Sequence, residues 1–550
     1  MVPVVHNDTR SWVINHDRVE ENCIMRGSLR AFPGFLLSFS ALRPAVRCDV
    51  DADNAVSYET GQAISNWSST HISHPKKLYE PLTELEVVRV LKTFSDKKEK
   101  IRPVGTALSP NGIGLSDNSN AMISIAALDK VVVDVKNQTV TVGGGAKVST
   151  ILKELKKYNL TLENFSSIQE QQIGGWTQVA AHGTGCKLPT VEQMIVQMKI
   201  ATPSEGILTL SNENNKQLFE FAKVGLGSLG IVTELTLKCI PSLNLHEQTF
   251  ASARENIIIG HNRRLTEYRH VRYMWIPYTT TVIGVVSNPI DAASTQLIKS
   301  KTNDSTKDAT KSLIELLFSI QSSYDKNYLN TLSFSQLRDM LLDIAPLDLS
   351  HVKKVNQAEA SFWEKSVGER VDDSTNILGF DCGGEQFVFE VCFPIGTLQE
   401  NSGKDIEYVQ ECLKILENAG IPAPSPIEQR WTASSSSPLS PAYSSNKDDI
   451  FSWVGIIMYL PPSQTTDQRE QISSYFNKYC ELMHPLLVKY NAKIHWAKIE
   501  VPDKSDKITF IRKLVRQNNS KNIDSFNKCR KALDPNSILS NKLIEAIFSD

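Results

Sequence analysis

The sequence predicts an α+β protein of two large domains, and three observations carry that expectation. Between residues 66 and 245, short β-rich runs alternate with one or two amphipathic helices, without the regular rhythm of a repeating βαβ array. Beyond about residue 245 the texture changes, and a polar Ser/Thr/Asp/Lys stretch interrupts strand-like runs. The length of 550 residues exceeds one domain of roughly 150, and 41% hydrophobic with 22% charged side chains suffices for real cores and excludes wholesale disorder.

Taken in order, residues 1–60 read as a segment apart. Asp8, Asp17, Glu20 and Glu21 precede residue 25, whereas 25–48 contains no acid, the four arginines Arg26, Arg30, Arg43 and Arg47, and an apolar middle. That is the composition of a mitochondrial targeting peptide beginning at the internal Met25. Leu82, Leu85, Val88, Leu91 and Phe94 recur at helical spacing before Lys97, Lys98 and Lys100, and Val148, Ile151, Leu152 and Leu155 do so again. Strands are expected at 101–105, 122–125, 131–135, 139–143, 191–202 and 231–240. In the second half, 289–311 and 434–449 read as loops and 387–393 and 451–460 as strands. Residues 407–420 read as a helix ended by Gly420.

With 59 basic and 61 acidic side chains, the net charge of −2 leaves no basic surplus for phosphates, so nucleic acid is not expected as a partner. Nine cysteines with no CxxC pair argue against a disulfide framework or zinc site, and no metal is expected. No apolar run approaches the roughly 18 residues of a spanning helix.

Two glycine-rich stretches carry the clearest chemistry. RPVGTALSPNG (102–112) runs from a strand into a turn of small residues whose successive backbone N–H groups can cradle a pyrophosphate. QIGGWTQVAAHGTG (172–185) is equally small and polar, and two such loops suit one extended cofactor. Gly225, Gly227 and Gly230 spell GxGxxG, yet they precede a strand instead of opening a helix, which contradicts the dinucleotide fingerprint. Glu428 and Arg430, two apart on a strand, share a face, which suits a base beside a charge-stabilising guanidinium and equally a surface ion pair. By themselves, His495 in HWAK and Cys382 in DCGG read as buried core side chains.

Taken together, SNWSSTH, IRPVGTALSPNGIGLS, LENFSSIQEQQIGG, VAAHGTG, GLGSLGIVTELTL, PAPSPIEQRWTA, HWAKIE and LDPNSILSN resemble the aldonolactone oxidoreductases of the vanillyl-alcohol oxidase flavoprotein family, over about residues 65–545. The resemblance implies an FAD-binding domain at 61–245, a substrate cap at 246–480 over the flavin ring, and a C-terminal segment, 481–550, that returns to the FAD domain and active site. It assigns Arg102, Pro103, Val104, Gly105, Thr106, Ala107, Leu108, Ser109, Gly144, Gly174, Gly175, His182, Gly183, Gly185, Ile231, Val232 and His495 to FAD. Leu108 stands where many relatives carry a flavin-linked histidine, so FAD is expected to be non-covalent.

The same resemblance implies oxidation of L-galactono-1,4-lactone, or a close aldonolactone, to ascorbate. In that reading Glu428 orients or deprotonates a hydroxyl, Arg430 binds substrate and stabilises negative charge, and Lys498 reaches the same pocket. Cys382 matches an oxidation-sensitive cysteine. Cytochrome c is the implied electron acceptor, at the inner mitochondrial membrane or in the intermembrane space, and an assembly role toward respiratory complex I is a further implication. Gly144 falls where the family's dehydrogenases carry alanine and its oxidases glycine. An absent Cβ there is expected to open the reduced flavin to O2, with hydrogen peroxide as the product.

Overall fold

The computed structural model describes residues 47–51, 56–291, 294, 306–380, 382–500, 505–517 and 519–549. The expected targeting stretch 25–48 lies outside them except for its last two residues, which begin the strand Arg47–Asp51.

Three principal sheets organise the described chain. The first, in the order Arg47–Asp51, Val56–Thr60, Leu78–Tyr79, Ala121–Ser124, Ile101–Val104, is mixed: its last three strands are parallel and its first pairings antiparallel. The helix Glu84–Lys97 makes one parallel crossover, with the Thr83 hydroxyl capping the Glu86 N–H. It buries Leu91 and Phe94 as expected together with Val87 and Val90, while Leu85 and the preceding Leu82 stay exposed, so the apolar face is rotated in its first turn from the one expected. The second sheet is antiparallel, ordered Gly206–Ser211, Ile195–Thr202, Ile231–Lys238, Thr139–Gly143, Val131–Asp134. Two expected strands are shorter than read. Residues 191–194 form a 3₁₀ turn before the strand, and Ile240–Pro241 leaves the sheet to pair with Leu160–Thr161.

The third sheet is antiparallel with eight strands, in the order Gly368–Asp373, Asn244–Ala253, Thr281–Ile290, His270–Trp275, Ile427–Ala433, Ile450–Tyr459, Gln386–Pro394, Lys493–Ile494. Residues 289–311 are not wholly a loop: Ile290 ends a strand, and Thr306–Ala309 and the start of Lys311–Ile320 are helical. The helices Lys311–Ile320, Phe334–Ile344 and Leu349–Lys365 pack a satellite core around Leu317, Leu341 and Val355 that the sequence pattern did not announce.

The C-terminal residues return to the first sheet. Ile101 N–H donates to Ile538 O (2.8 Å), and Asn541 Nδ2 donates to Leu115 O (2.8 Å). The buried Arg102 guanidinium holds three other chain segments at once, donating to the carbonyls of Ile113 (2.7 and 2.9 Å), Leu226 (2.7 Å), Gly227 (3.1 Å) and Leu539 (2.7 Å). Each buried carbonyl stripped of its donor costs about 1–3 kcal/mol. We expect Arg102→Met to destabilise the fold by at least about 3 kcal/mol, read as a clear fall in thermal midpoint; a midpoint within about 1 °C of the parent would refute the clamp.

Candidate active site

A cleft of about 940 Å³ opens against the first two sheets. Its lining includes residues 102–109, Asn111, Gly144, Gln172, Gly174, Gly175, Leu226, Gly227, Ile231 and Val232. Among the described residues, the backbone N–H groups of Thr106, Ala107, Leu108 and Ser109 donate no hydrogen bond, and Ala107 turns the chain with φ 52°. A Cβ added to Gly175 would meet nothing within 4 Å, and the buried Gln172 Oε1 lacks a donor. Free donors in a turn, room where a side chain would be, and an orphaned acceptor fit an anionic, ring-bearing cofactor such as FAD. Leu108 offers no nucleophile for a covalent link.

Not every residue assigned to the cofactor faces that cleft. Arg102 lines it, but its N–H groups are spent on backbone carbonyls. His182 and His495 are buried in a separate cluster, Gly183 lines a second pocket, and Gly185 donates its N–H to Trp431 O (2.7 Å). Gly144 does line the cleft, yet an added Cβ would come within 2.0 Å of Val232 O and 2.8 Å of Ile125 Cδ1. The space of the missing methyl is taken by the neighbouring strand, so packing explains this glycine before any path for dioxygen does.

The second pocket, about 430 Å³, lies on the third sheet and is lined in part by Phe165, Thr184, His270, Arg272, Phe380 and Arg430. Glu428 and Arg430 alternate on Ile427–Ala433 as expected and share a face. Arg430 Nε lies 3.3 Å from Glu428 Oε2, and Arg272, paired across from Arg430, brings its NH1 3.7 Å from Glu428 Oε1 while stacking on Phe380 at 4.0 Å. On the far side, Arg430 NH2 donates to Glu390 Oε1 (2.8 Å). Glu428 and Glu390 both stand opposite Gly455 on the intervening strand, and the absent side chain leaves the lane through which Arg430 reaches Glu390.

Glu390 is the hub of the cluster. Its Oε2 accepts from Lys498 Nζ and from His182 Nε2 (3.1 Å), and His182 stacks on Trp453 with ring centroids 3.8 Å apart. Burial pushes the Glu390 carboxyl up, but Lys498, His182 and Arg430 together outweigh it and hold the group well below the usual carboxylate range. Burial pulls the His182 imidazole down to about 4 against the pull of Glu390, and both its ring nitrogens face acceptors, Nε2 toward Glu390 and Nδ1 toward Gly183 O (3.0 Å). Burial likewise lowers His495, helped by Lys498; its Nδ1 accepts from Ala497 N–H, which makes it the cap of the turn Trp496–Lys498. His182, Glu390 and His495 bring ligand atoms within 4.8 Å of one another, but Lys498 and Arg430 already bond that carboxylate, so a metal ion there would face two fixed cations.

The cleft and the charge cluster are linked by hydrogen bonds. Asn111 of the cleft-lining loop donates its Nδ2 to Trp496 O and Ile499 O (2.8 Å each), pinning the turn that carries Lys498 against that loop. Cys382 Sγ lies 3.0 Å from Ser167 Oγ beside the pocket. Burial raises its thiol pKa, with Glu428 adding to the rise, so its surroundings favour thiol over the thiolate that oxidation chemistry prefers. Sequence reasoning passed over Glu390, Arg272, Asn111 and Gln172. Glu390 and Arg272 had one available signal, a charge in the middle of an apolar run, in FVFEVCF and HVRYMW.

Comparison with known proteins agrees with this geometry. The family profile described as D-arabinono-1,4-lactone oxidase matches residues 235–547, and one described as an FAD binding domain matches 75–211. The mitochondrial L-galactono-1,4-lactone dehydrogenase of Arabidopsis thaliana is 45% identical over 499 residues, covering 88% of this chain and 81% of its own. The Brassica oleracea enzyme of that name is 44% identical, over 88% and 82%. L-gulonolactone oxidase of Bos taurus is 24% identical over 89% of this chain and 98% of its own. In fold the chain resembles a solvent-stable cholesterol oxidase (TM-score 0.68, 15% identity, 93% of this chain and 100% of that one) and the cholesterol oxidase of B. sterolicum (TM-score 0.68, 14% identity, 92% and 100%). An FAD-binding half joined to that second module, with such identity to the plant enzymes along most of the length, makes the chain a member of the D-arabinono-1,4-lactone oxidase family of aldonolactone oxidoreductases.

Proposed function

We propose that the protein oxidises L-galactono-1,4-lactone to ascorbate in mitochondria, with cytochrome c as electron acceptor and dioxygen as a competing one. The observation that carries the reading is a charge cluster in which Arg430, a pocket-lining residue, bridges Glu428 and the buried Glu390 carboxylate, and Glu390 also holds Lys498 on a turn pinned to the cofactor cleft's loop. The substrate and compartment follow the names of the plant relatives, and the acidless stretch 25–48 supports import.

Bound FAD supplies a two-electron acceptor for hydride from C2 of the lactone. The chain's own residues manage the charge. As the C2 hydroxyl loses its proton, negative charge grows on its oxygen, and the Arg430 guanidinium, already oriented and desolvated, stabilises it. Glu428, flanked by Arg272 and Arg430, is an acceptor that orients the hydroxyl and receives its proton. Lys498 adds a second cation behind Arg430. The 2-keto lactone then tautomerises to the enediol without further redox chemistry.

Anaerobic addition of L-galactono-1,4-lactone is expected to bleach the flavin absorbance band, and oxidised cytochrome c to restore it faster than dioxygen does. No bleaching by any aldonolactone would overturn the substrate assignment, and faster return with oxygen would make the enzyme an oxidase in behaviour. Arg430→Ala should lower kcat/KM by about 100- to 1,000-fold, the usual loss on removing a charge-stabilising donor. Acid precipitation should leave a colourless pellet and all flavin in the supernatant, because Leu108 cannot hold FAD covalently; a yellow pellet would contradict that.

A further inference from the structure

We propose that Glu390 is a positioning residue for lactone oxidation, acting through Arg430 and Lys498. The inference rests on the functional reading above and deepens it. Among the described residues, the Arg430 guanidinium donates one hydrogen bond, and its acceptor is Glu390; the buried Arg430 Nε faces Glu428 at 3.3 Å without hydrogen-bonding geometry. The orientation of the group that meets developing charge is therefore set by a residue behind it. The other Glu390 oxygen takes Lys498 and His182, so one carboxylate fixes both the pocket-lining Arg430 and the Lys498 behind it.

Three features make this more than an incidental ion pair. Glu390 has 2% of its side chain exposed, so its charge is neither solvated nor screened. Gly455 keeps the lane between Glu390 and Arg430 open: a Cβ there would stand 3.6 Å from Glu390 Oε1, and a larger side chain would intrude between the partners. The charge count is also informative. Arg272, Arg430 and Lys498 face Glu390 and Glu428, which leaves one positive charge in excess among these five groups. Without the Glu390 carboxylate that excess doubles, and Arg430 is free to collapse onto Glu428, consuming the acceptor the substrate hydroxyl needs.

The test uses the FAD-loaded enzyme with Glu390→Gln and Glu390→Asp, each in the parent and in an Arg430→Ala background, with FAD content and thermal midpoint measured throughout. Glu390→Gln is expected to slow anaerobic flavin reduction by lactone at least about 100-fold in the parent and by a factor at least about tenfold smaller once Arg430 is absent, the residual loss running through Lys498, as for residues that act as a unit. Equal losses in both backgrounds would overturn the proposal, as would a parent-like rate. Should Glu390→Gln fail to fold, Glu390→Asp decides: it keeps the charge but withdraws it by one methylene, and a loss of at least about tenfold in reduction rate with normal FAD content is expected. A parent-like rate in that variant overturns the proposal. A readout that needs no substrate separates this inference from the functional reading. Removing a buried negative charge whose Lys498 partner sits on the turn pinned to the cleft-lining loop should shift the midpoint potential of bound FAD to more positive values in Glu390→Gln and not in Glu390→Asp. An unmoved potential counts against Glu390 even if the parent enzyme ignores every lactone, an outcome that by itself would refute only the substrate.

Discussion

An ionised carboxylate withdrawn from water persists only if cations come to it, and much of the second half of this chain is arranged around that requirement. Glu390 draws Arg430 from one neighbouring part of the sheet, Lys498 from the turn that follows the last strand, and His182 from a glycine-rich loop of the first half. Removing Glu390 strands two cations at once, so Arg430 and Lys498 both depend on it. The arrangement defines a unique packing for the sheet, the loop and the turn, because alternatives leave the carboxylate or a cation without its partner.

Around that hub the two halves divide their labour by chemistry. The first half exposes unspent backbone donors beside open space, which suits a large anionic ligand held by many weak contacts. The second supplies fixed side-chain charges on an antiparallel sheet, where alternation sends Glu428 and Arg430 to one face and rigid strands hold them at defined spacing. Asn111 ties the two together through the carbonyls of Trp496 and Ile499, so a shift in the loop is transmitted to the turn bearing Lys498.

What could be read from the residues alone was the local part. The i, i+2 spacing of Glu428 and Arg430 placed them on one face, the density of glycine marked the cleft-lining loops, and most strand runs reappear within a residue or two. The long-range part was not legible. Glu390 meets partners 40, 108 and 208 residues away, and its own segment reads only as an apolar strand. Periodicity also misled in one place: Leu82 and Leu85 fit a helical stripe, but the sheet takes Val87, Val90, Leu91 and Phe94, because burial is decided by what lies opposite. The helices between 306 and 365 were hidden by the polar stretch before them, although Leu313 and Leu317, and Leu337 and Leu341, stand four apart.

The clamp on Arg102 has a consequence for how the protein is made. One of its carbonyl partners, Leu539, lies 437 residues downstream, and Ile538 pairs with the first residue of the same strand. A growing chain that has completed its N-terminal half holds every residue that lines the cleft, but the Arg102 cation beside it still lacks the Leu539 carbonyl. Cofactor capture in a settled geometry therefore follows synthesis of nearly the whole polypeptide. A chain that stops short of Ile538 leaves bare the strand surface that the C-terminal segment covers, the kind of exposure that drives aggregation.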